Sequence, residues 1–376
     1  MPNGVPKVSE PAVKAAAIAP AVERSLTNVR RASAATILML LLFNAAAWIT
    51  ALLVFHHMPV MLGTALLAWT FGLQHALDAD HISAIDNVTR KLMQEGQRPT
   101  MVGFFFSLGH STIVILLSIA IAATAAAIKS RFDQLENIGG LVGTIISAAF
   151  LAGIAAVNLV VLRNIVRTFN RVRRGEKYED QNLDTMLSQM GRIGRWTRPA
   201  VRLLDRSWKM YAVGFLFGLG FDTATQVGLL GISAALGAQA MAIWSILIFP
   251  ILFTAGMCLV DTLDGLLMLG AYGWAFVHPI RKLYYNMTIT AVSVLIALAV
   301  GAIEILGVLQ SEYSPQGWFW DSVGSLNDDY HFKLIGVVIV GIFLVSWATS
   351  AVVYRMMGYH LLEVPTDGGP VGPTLT

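Results

Sequence analysis

Residues 60–82 read VMLGTALLAWTFGLQHALDADHI. Fifteen uncharged, mostly apolar residues are followed directly by His75, Asp78, Asp80 and His81 within seven positions. The first part has the composition of a helix entering a bilayer, where ~20 apolar residues are needed to cross. The second part is costly in that setting and requires a compensating partner.

The rest of the chain follows the same plan. Of its 376 residues, 56% are hydrophobic and 13% charged, against roughly 25% charged in a soluble domain. The charges cluster between long apolar runs. Alternating strand patterning is absent, so continuous helices are the means of satisfying the backbone in lipid. The expected fold class is all-α: a polytopic integral membrane protein with about eight transmembrane helices. They are placed at 34–55, 60–77, 101–128, 138–162, 210–236, 241–270, 287–309 and 334–354.

Lysine and arginine set the expected orientation. With the N-terminus inside, inner segments carry 23 of these residues and outer loops carry 3, namely Lys129, Arg131 and Lys333. This positive-inside bias puts both termini in the cytoplasm. It also accounts for a pI near 9.0 without a nucleic-acid partner. The first apolar run is too long for a signal-peptide core and has no A-x-A-like site after it, so it is expected to remain as a span. Cys258 is the single cysteine, which leaves the redox compartment undetermined.

Five segments are expected. A basic cytoplasmic N-terminal segment covers 1–33, and a membrane half with spans one to four covers 34–162. A basic cytoplasmic loop covers 163–209, read as a linker near anionic lipid headgroups. A second membrane half covers 210–358 and a disordered tail 359–376. The outer loop SEYSPQGWFWDSVGSLNDDYH carries Trp318, Phe319 and Trp320 as an interfacial aromatic belt, with Asp328, Asp329 and His331 in a solvated loop. GFFFSLGHST (103–112) and GFLFGLGFDT (214–223) agree at six of ten positions. Either a parallel repeat or shared small-residue packing produces such an echo.

An ionisable residue within a span costs on the order of 3 kcal/mol on insertion scales and marks a functional site by default. Asp78, Asp80, Asp222, Asp261 and Asp264 together would cost roughly 12–17 kcal/mol if unpaired. No Lys or Arg lies within those spans, so protons, hydrogen bonds or a cation must compensate. On one continuous helix, His75, Asp78 and His81 share an arc of about 120°, with Asp86 beside His75 and Asp80 pointing elsewhere. An unwound helix would let Asp80 join them. Histidine with aspartate suits nickel, cobalt, copper or zinc over calcium or magnesium, and the lack of a cysteine cluster argues against Cu(I) and structural zinc. For Asp86 the competing reading is an exposed residue at the start of the inner loop.

In the third span Ser107, His110 and Ser111 share a face; alone, such a histidine is more often a packing residue. Asp222, Thr225 and Gln226 do the same in the fifth span. In the sixth, Met257, Asp261 and Asp264 align, with Cys258 and Thr262 adjacent. Met257 and Cys258 read as packing, although both are soft donors. Glu304 stands alone in the seventh span.

At these residues the chain resembles the nickel/cobalt transporter family (NiCoT, of the NiCoT/NicO group). Its H-x4-D-H motif corresponds to His75, Asp80 and His81 within LQHALDADHI. FFSLGHST, LGFDTAT and GMCLVDTLDG follow in the family's order. The resemblance implies metal handling by His75, Asp78, Asp80, His81, His110, Asp222, Asp261 and Asp264. It also implies high-affinity, low-capacity import of Ni2+ and/or Co2+. Gln226 departs from the acid expected after LGFDTAT and offers a carbonyl without charge.

The expected protein is a secondary-type transporter in the bacterial cytoplasmic (inner) membrane and not an enzyme. It has no prosthetic group, and its partners are a divalent transition-metal ion and membrane lipid. No Walker A sequence is present and no ATPase subunit is evident. The runner-up is an efflux protein of the same wider group. A His-rich cytoplasmic loop would favour it, and 163–209 contains no histidine. An intramembrane metalloenzyme would need a fuller ligand set, such as an H-E-x-x-H helix.

Overall fold

The computed structural model describes residues 10–124, 129–174, 204–219, 243–275 and 279–356. Its elements are α1 (Glu10–Phe55), α2 (Pro59–His75), α3 (Ala79–Gln94), α4 (Val102–Thr124) and α5 (Lys129–Arg173). A 3-10 turn at Ser207–Lys209 leads into α6 (Met210–Phe217). Then come α7 (Ile243–Ile246), α8 (Ile248–Ala275), α9 (Pro279–Tyr313), α10 (Trp318–Leu326) and α11 (Asp329–Met356). There is no strand among the described residues, and the protein is an all-α, multi-pass membrane protein.

Six helices are long and apolar enough to cross a bilayer, or seven when α2 and α3 count as one span bent by 55°. The expected span at 210–236 is described only as far as 219. Asp222, Thr225 and Gln226 lie outside the described residues, as do the C-terminal tail and most of the basic loop.

Helix α8 is the hub, packing against α1, α2, α3 and α4, while α5 pairs with α9 and α4 with α6. α8 and α4 are the most enclosed spans; α1 and α11 expose most of their apolar surface, as lipid-facing helices do. Without a hydrophobic force between helices in lipid, close approach depends on small residues and hydrogen bonds. Asn44 of α1 supplies one such joint. Its Nδ2 donates to the Ala255 carbonyl of α8 at 3.0 Å, and its Oδ1 accepts from Trp69 Nε1 of α2 at 2.9 Å.

Glycines set the α4–α6 contact. A Cβ at Gly109 would strike the Tyr211 carbonyl, and one at Gly214 would strike the Phe106 carbonyl. These glycines belong to the two echoing decapeptides. For that part of the echo, mutual small-residue packing is the structural basis.

Helix α5 continues past 162 to Arg173, so the start of the basic segment is helical. Its apolar face, Val161, Ile165 and Phe169, packs against Tyr284 and Met287 of α9, while Arg163 and Arg167 face outward. Of the two readings of Asp86 the exposed one does not hold: α3 continues to Gln94, and Asp86, Arg90 and Lys91 are all buried in it. A basic residue therefore does sit inside the bent span. Arg90 donates to Thr290 of α9 at 2.8 Å and to Asn87 at 2.9 Å, and Asn158 of α5 donates to Asn87 at 2.6 Å. Lys91 pairs with Glu95 at 2.9 Å and donates to the Leu204 carbonyl at 2.7 Å.

The outer loop also differs from expectation, since residues 318–326 form α10. Gly317 precedes it and Asp321 lies in its first turn, where a carboxylate favours the helix N-terminus. Asn327 ties its end to the Ile303 carbonyl at 3.0 Å.

The α4–α6 contact yields a first prediction. Gly214→Leu should destabilise the purified protein by about 1–3 kcal/mol or more. Gly63→Leu should be near neutral, because a Cβ there would have nothing within 4 Å. Thermal unfolding of both variants in detergent checks this, and equal shifts would contradict the packing.

Candidate metal centre

The bent span between α2 and α3 builds the site. α2 ends at His75, and α3 begins after Asp78, whose backbone is extended (φ −63°, ψ 142°). Backbone N–H groups of Leu77 and Asp78 donate to Gln74 and His75 carbonyls, each at 3.0 Å. Irregular backbone at membrane depth is tolerated only when buried in protein. Here α11 covers it: a Cβ at Gly336 would collide with the Leu77 carbonyl.

Asp78 occupies the N-cap of α3 but makes no side-chain capping bond. Its carboxylate instead meets His75 Nδ1 at 2.6 Å. With the Nδ1 proton held by Asp78, His75 presents Nε2 as a lone pair. A carboxylate behind an imidazole is the arrangement that orients a metal-binding histidine. His75 Nε2 lies 3.1 Å from His110 Nε2 of α4. His81, in the first turn of α3, completes the group. One ring nitrogen from each of His75, His81 and His110 lies within 4.8 Å of the others.

The walls of the cluster are aromatic and apolar. Phe106 stands edge-on to His81 at 4.8 Å between centroids, and Phe253 lies 5.8 Å from His75. Asp261 of α8 supplies charge from the opposite side, with Oδ2 at 3.6 Å from His81 Nδ1 and accepting from Ser107 Oγ at 2.6 Å. Gly103 allows α4 to approach, because a Cβ there would strike the Asp261 carbonyl. His110 Nδ1 and Asp261 Oδ1 are buried without a hydrogen-bond partner among the described residues.

Five of the sequence-derived candidates thus come together: His75, Asp78, His81, His110 and Asp261. Asp80 does not join them, although the helix is broken. Its Oδ1 accepts from the His81 backbone N–H at 2.9 Å, and its Oδ2 faces Ser147 of α5 at 3.5 Å. The bend also voids the continuous-helix angles, since His75 and His81 sit on different helices. Asp264 lies one turn along α8, both carboxylate oxygens buried and unpartnered among the described residues, with Asp86 and Asp261 in electrostatic range. Asp86 accepts from Ser293 Oγ at 2.9 Å. Met257 and Cys258 are fully buried, and the Met257 sulfur accepts from Ser111 at 3.7 Å. Ser147 escapes sequence reasoning altogether. An isolated serine in an apolar run carries no signal until a second helix is placed beside it.

Three imidazoles, two of them beside carboxylates, suit a divalent transition ion of the borderline class. The 3.1 Å between His75 Nε2 and His110 Nε2 suits two bonds of about 2.0–2.1 Å to one such ion. The fold defines a multi-pass helical membrane protein, and the bend of one span brings His75 and His81 together with His110 of another.

The chain belongs to the NicO family, described as high-affinity nickel-transport protein, whose model matches residues 61–353. It is 53% identical over 326 residues to the high-affinity nickel transport protein of Cupriavidus necator, covering 87% of this chain and 92% of that one. It is 43% identical over 300 residues to the nickel transporter NixA of Staphylococcus aureus, covering 80% and 87%. With the cobalt transport protein NhlF of Rhodococcus rhodochrous it shares 38% identity over 296 residues, covering 78% and 82%. No solved structure matches the chain.

The Ser107–Asp261 hydrogen bond yields a second prediction. Ser107→Ala removes the donor that orients Asp261 without removing a candidate donor atom to the metal. Co2+ affinity of the purified protein, read by visible absorption, should fall about tenfold. An unchanged affinity would mean that Asp261 needs no orientation from Ser107.

Proposed function

We propose that this protein is a nickel/cobalt permease that imports Ni2+ and/or Co2+ across the bacterial cytoplasmic membrane. The ion passes through the cluster of His75, His81 and His110, with Asp78, Asp80, Asp222, Asp261 and Asp264 as its charged surroundings. The observation that carries this reading is the convergence of three imidazole nitrogens within 4.8 Å at the bend of a span, in a chain of the nickel-transport family. The relatives' names, which include both nickel and cobalt transporters, support either ion as substrate.

The chemistry follows from the donors. Imidazole binds the ion in its neutral form and carboxylates bind it ionised, so binding releases protons. The acids offset the cost of dehydrating a doubly charged ion. A site that held every donor at closed-shell distance would trap its cargo; conduction needs binding weak enough to release. The inside-positive charge distribution supports cytoplasmic termini. Inward movement then gains about 2.3 kcal/mol per charge per 100 mV of membrane potential. The absence of histidine from 163–209 favours import over export.

Uptake of labelled nickel and cobalt in cells lacking other importers tests the proposal. Wild-type protein should support uptake, and His75→Ala and His110→Ala should reduce it by at least about tenfold at low metal concentration. Unchanged uptake in both variants would remove the site. Uptake by the wild type should also fall as the pH is lowered from neutral into the acid range, as protons compete with the ion for its donors. A rise over that range would contradict the donor assignment.

A further inference from the structure

We infer that Asp80, Ser147 and Glu304 form a second cation site, built from oxygen donors alone and distinct from the imidazole cluster. Glu304 stands in the middle of the apolar helix α9 and is 5% exposed. Its Oε1 accepts from Ser147 Oγ of α5 at 2.8 Å, and the same hydroxyl lies 3.5 Å from Asp80 Oδ2. One hydroxyl proton serves one carboxylate at a time. The other Glu304 oxygen, Oε2, is buried with no hydrogen-bond partner among the described residues. Asp80 is meanwhile held in place from behind, its Oδ1 accepting from the His81 backbone N–H at 2.9 Å.

Two carboxylates directed at one hydroxyl in an apolar surround repel each other, and a buried acceptor without a donor costs free energy. A cation between them removes both costs. The donors are carboxylate and hydroxyl oxygens, which suit a divalent ion that keeps part of its water, with Mn2+ as the fitting probe. No ring nitrogen is hydrogen-bonded within this group, although the His81 imidazole lies in electrostatic range of both Asp80 and Glu304. The inference rests on reading the α2–α3 bend as the level where ions bind, because Asp80 lies in the first turn after that bend.

Full-length protein in detergent is titrated with Mn2+, whose free-ion paramagnetic signal falls on binding. It is titrated separately with Co2+, read by the visible bands of nitrogen coordination. Wild type is expected to bind both. Glu304→Gln should bind Mn2+ about tenfold more weakly or worse while keeping the cobalt bands, which also report that it is folded. His110→Ala should lose the cobalt bands and keep Mn2+. Equal Mn2+ binding by wild type and Glu304→Gln would overturn the inference. So would loss of Mn2+ binding in His110→Ala, or no Mn2+ binding by the wild type. Should Glu304→Gln lose the cobalt bands too, Ser147→Ala decides: weaker Mn2+ binding with cobalt bands retained supports the oxygen site, and unchanged Mn2+ binding overturns it. A wild type without cobalt bands would strike the imidazole reading alone, and Mn2+ loss in Glu304→Gln would still support the oxygen site.

Discussion

A carboxylate in the interior of a helical membrane bundle is costly unless it meets a donor or a positive charge, and among the described residues those around the bend do so while Asp264 does not. Asp78 meets His75, Asp261 meets Ser107 and His81, Asp86 meets Ser293, and Asp80 meets the His81 backbone N–H. The pairings at the cluster depend on the bend at residues 76–78. A straight helix would carry His75 and His81 on one rod and leave the α3 N-terminus unformed. The bend turns the span into two helices whose ends face a common space, and it places there the donors that a helix terminus supplies.

The surrounding bundle holds that bend open to other helices and closed to lipid. α8 brings Asp261 against α4, which brings His110, and glycines at Gly103 and Gly336 let backbones come within contact distance of the bend and of Asp261. Further along α3, the Arg90–Asn87–Asn158–Thr290 network provides a buried cation between the carboxylates and the inner end of that helix. The contacts that satisfy Asp78 and Asp261 also set their carboxylates beside the His75 and His81 rings.

The class of fold is legible because hydropathy alone forces helices once apolar runs reach bilayer length. His75, Asp78 and His81 are legible because charges in such a run are costly and stand out. His110 is harder, since a lone histidine at helical spacing looks the same whether it packs or binds; only the placement of α4 against α2 separates the two. Angles on an unbroken helix mislead for Asp80, which the bend sends toward α5. Asp86 reads as a residue at the membrane edge because hydropathy drops after His81. In the structure α3 keeps its polar residues inside the protein, where hydropathy cannot register them. Glu304 stands alone in the sequence because its partner, Ser147, lies on a helix 157 positions away.

The central claim is that imidazole nitrogens from two separate spans take hold of the same ion. X-ray absorption at the nickel edge of nickel-loaded protein tests it most directly. The account predicts a nearest shell at about 2.0–2.1 Å with the outer-ring scattering of at least two imidazoles, diminished in His110→Ala. A shell of oxygen atoms alone, unaffected by that substitution, would contradict it.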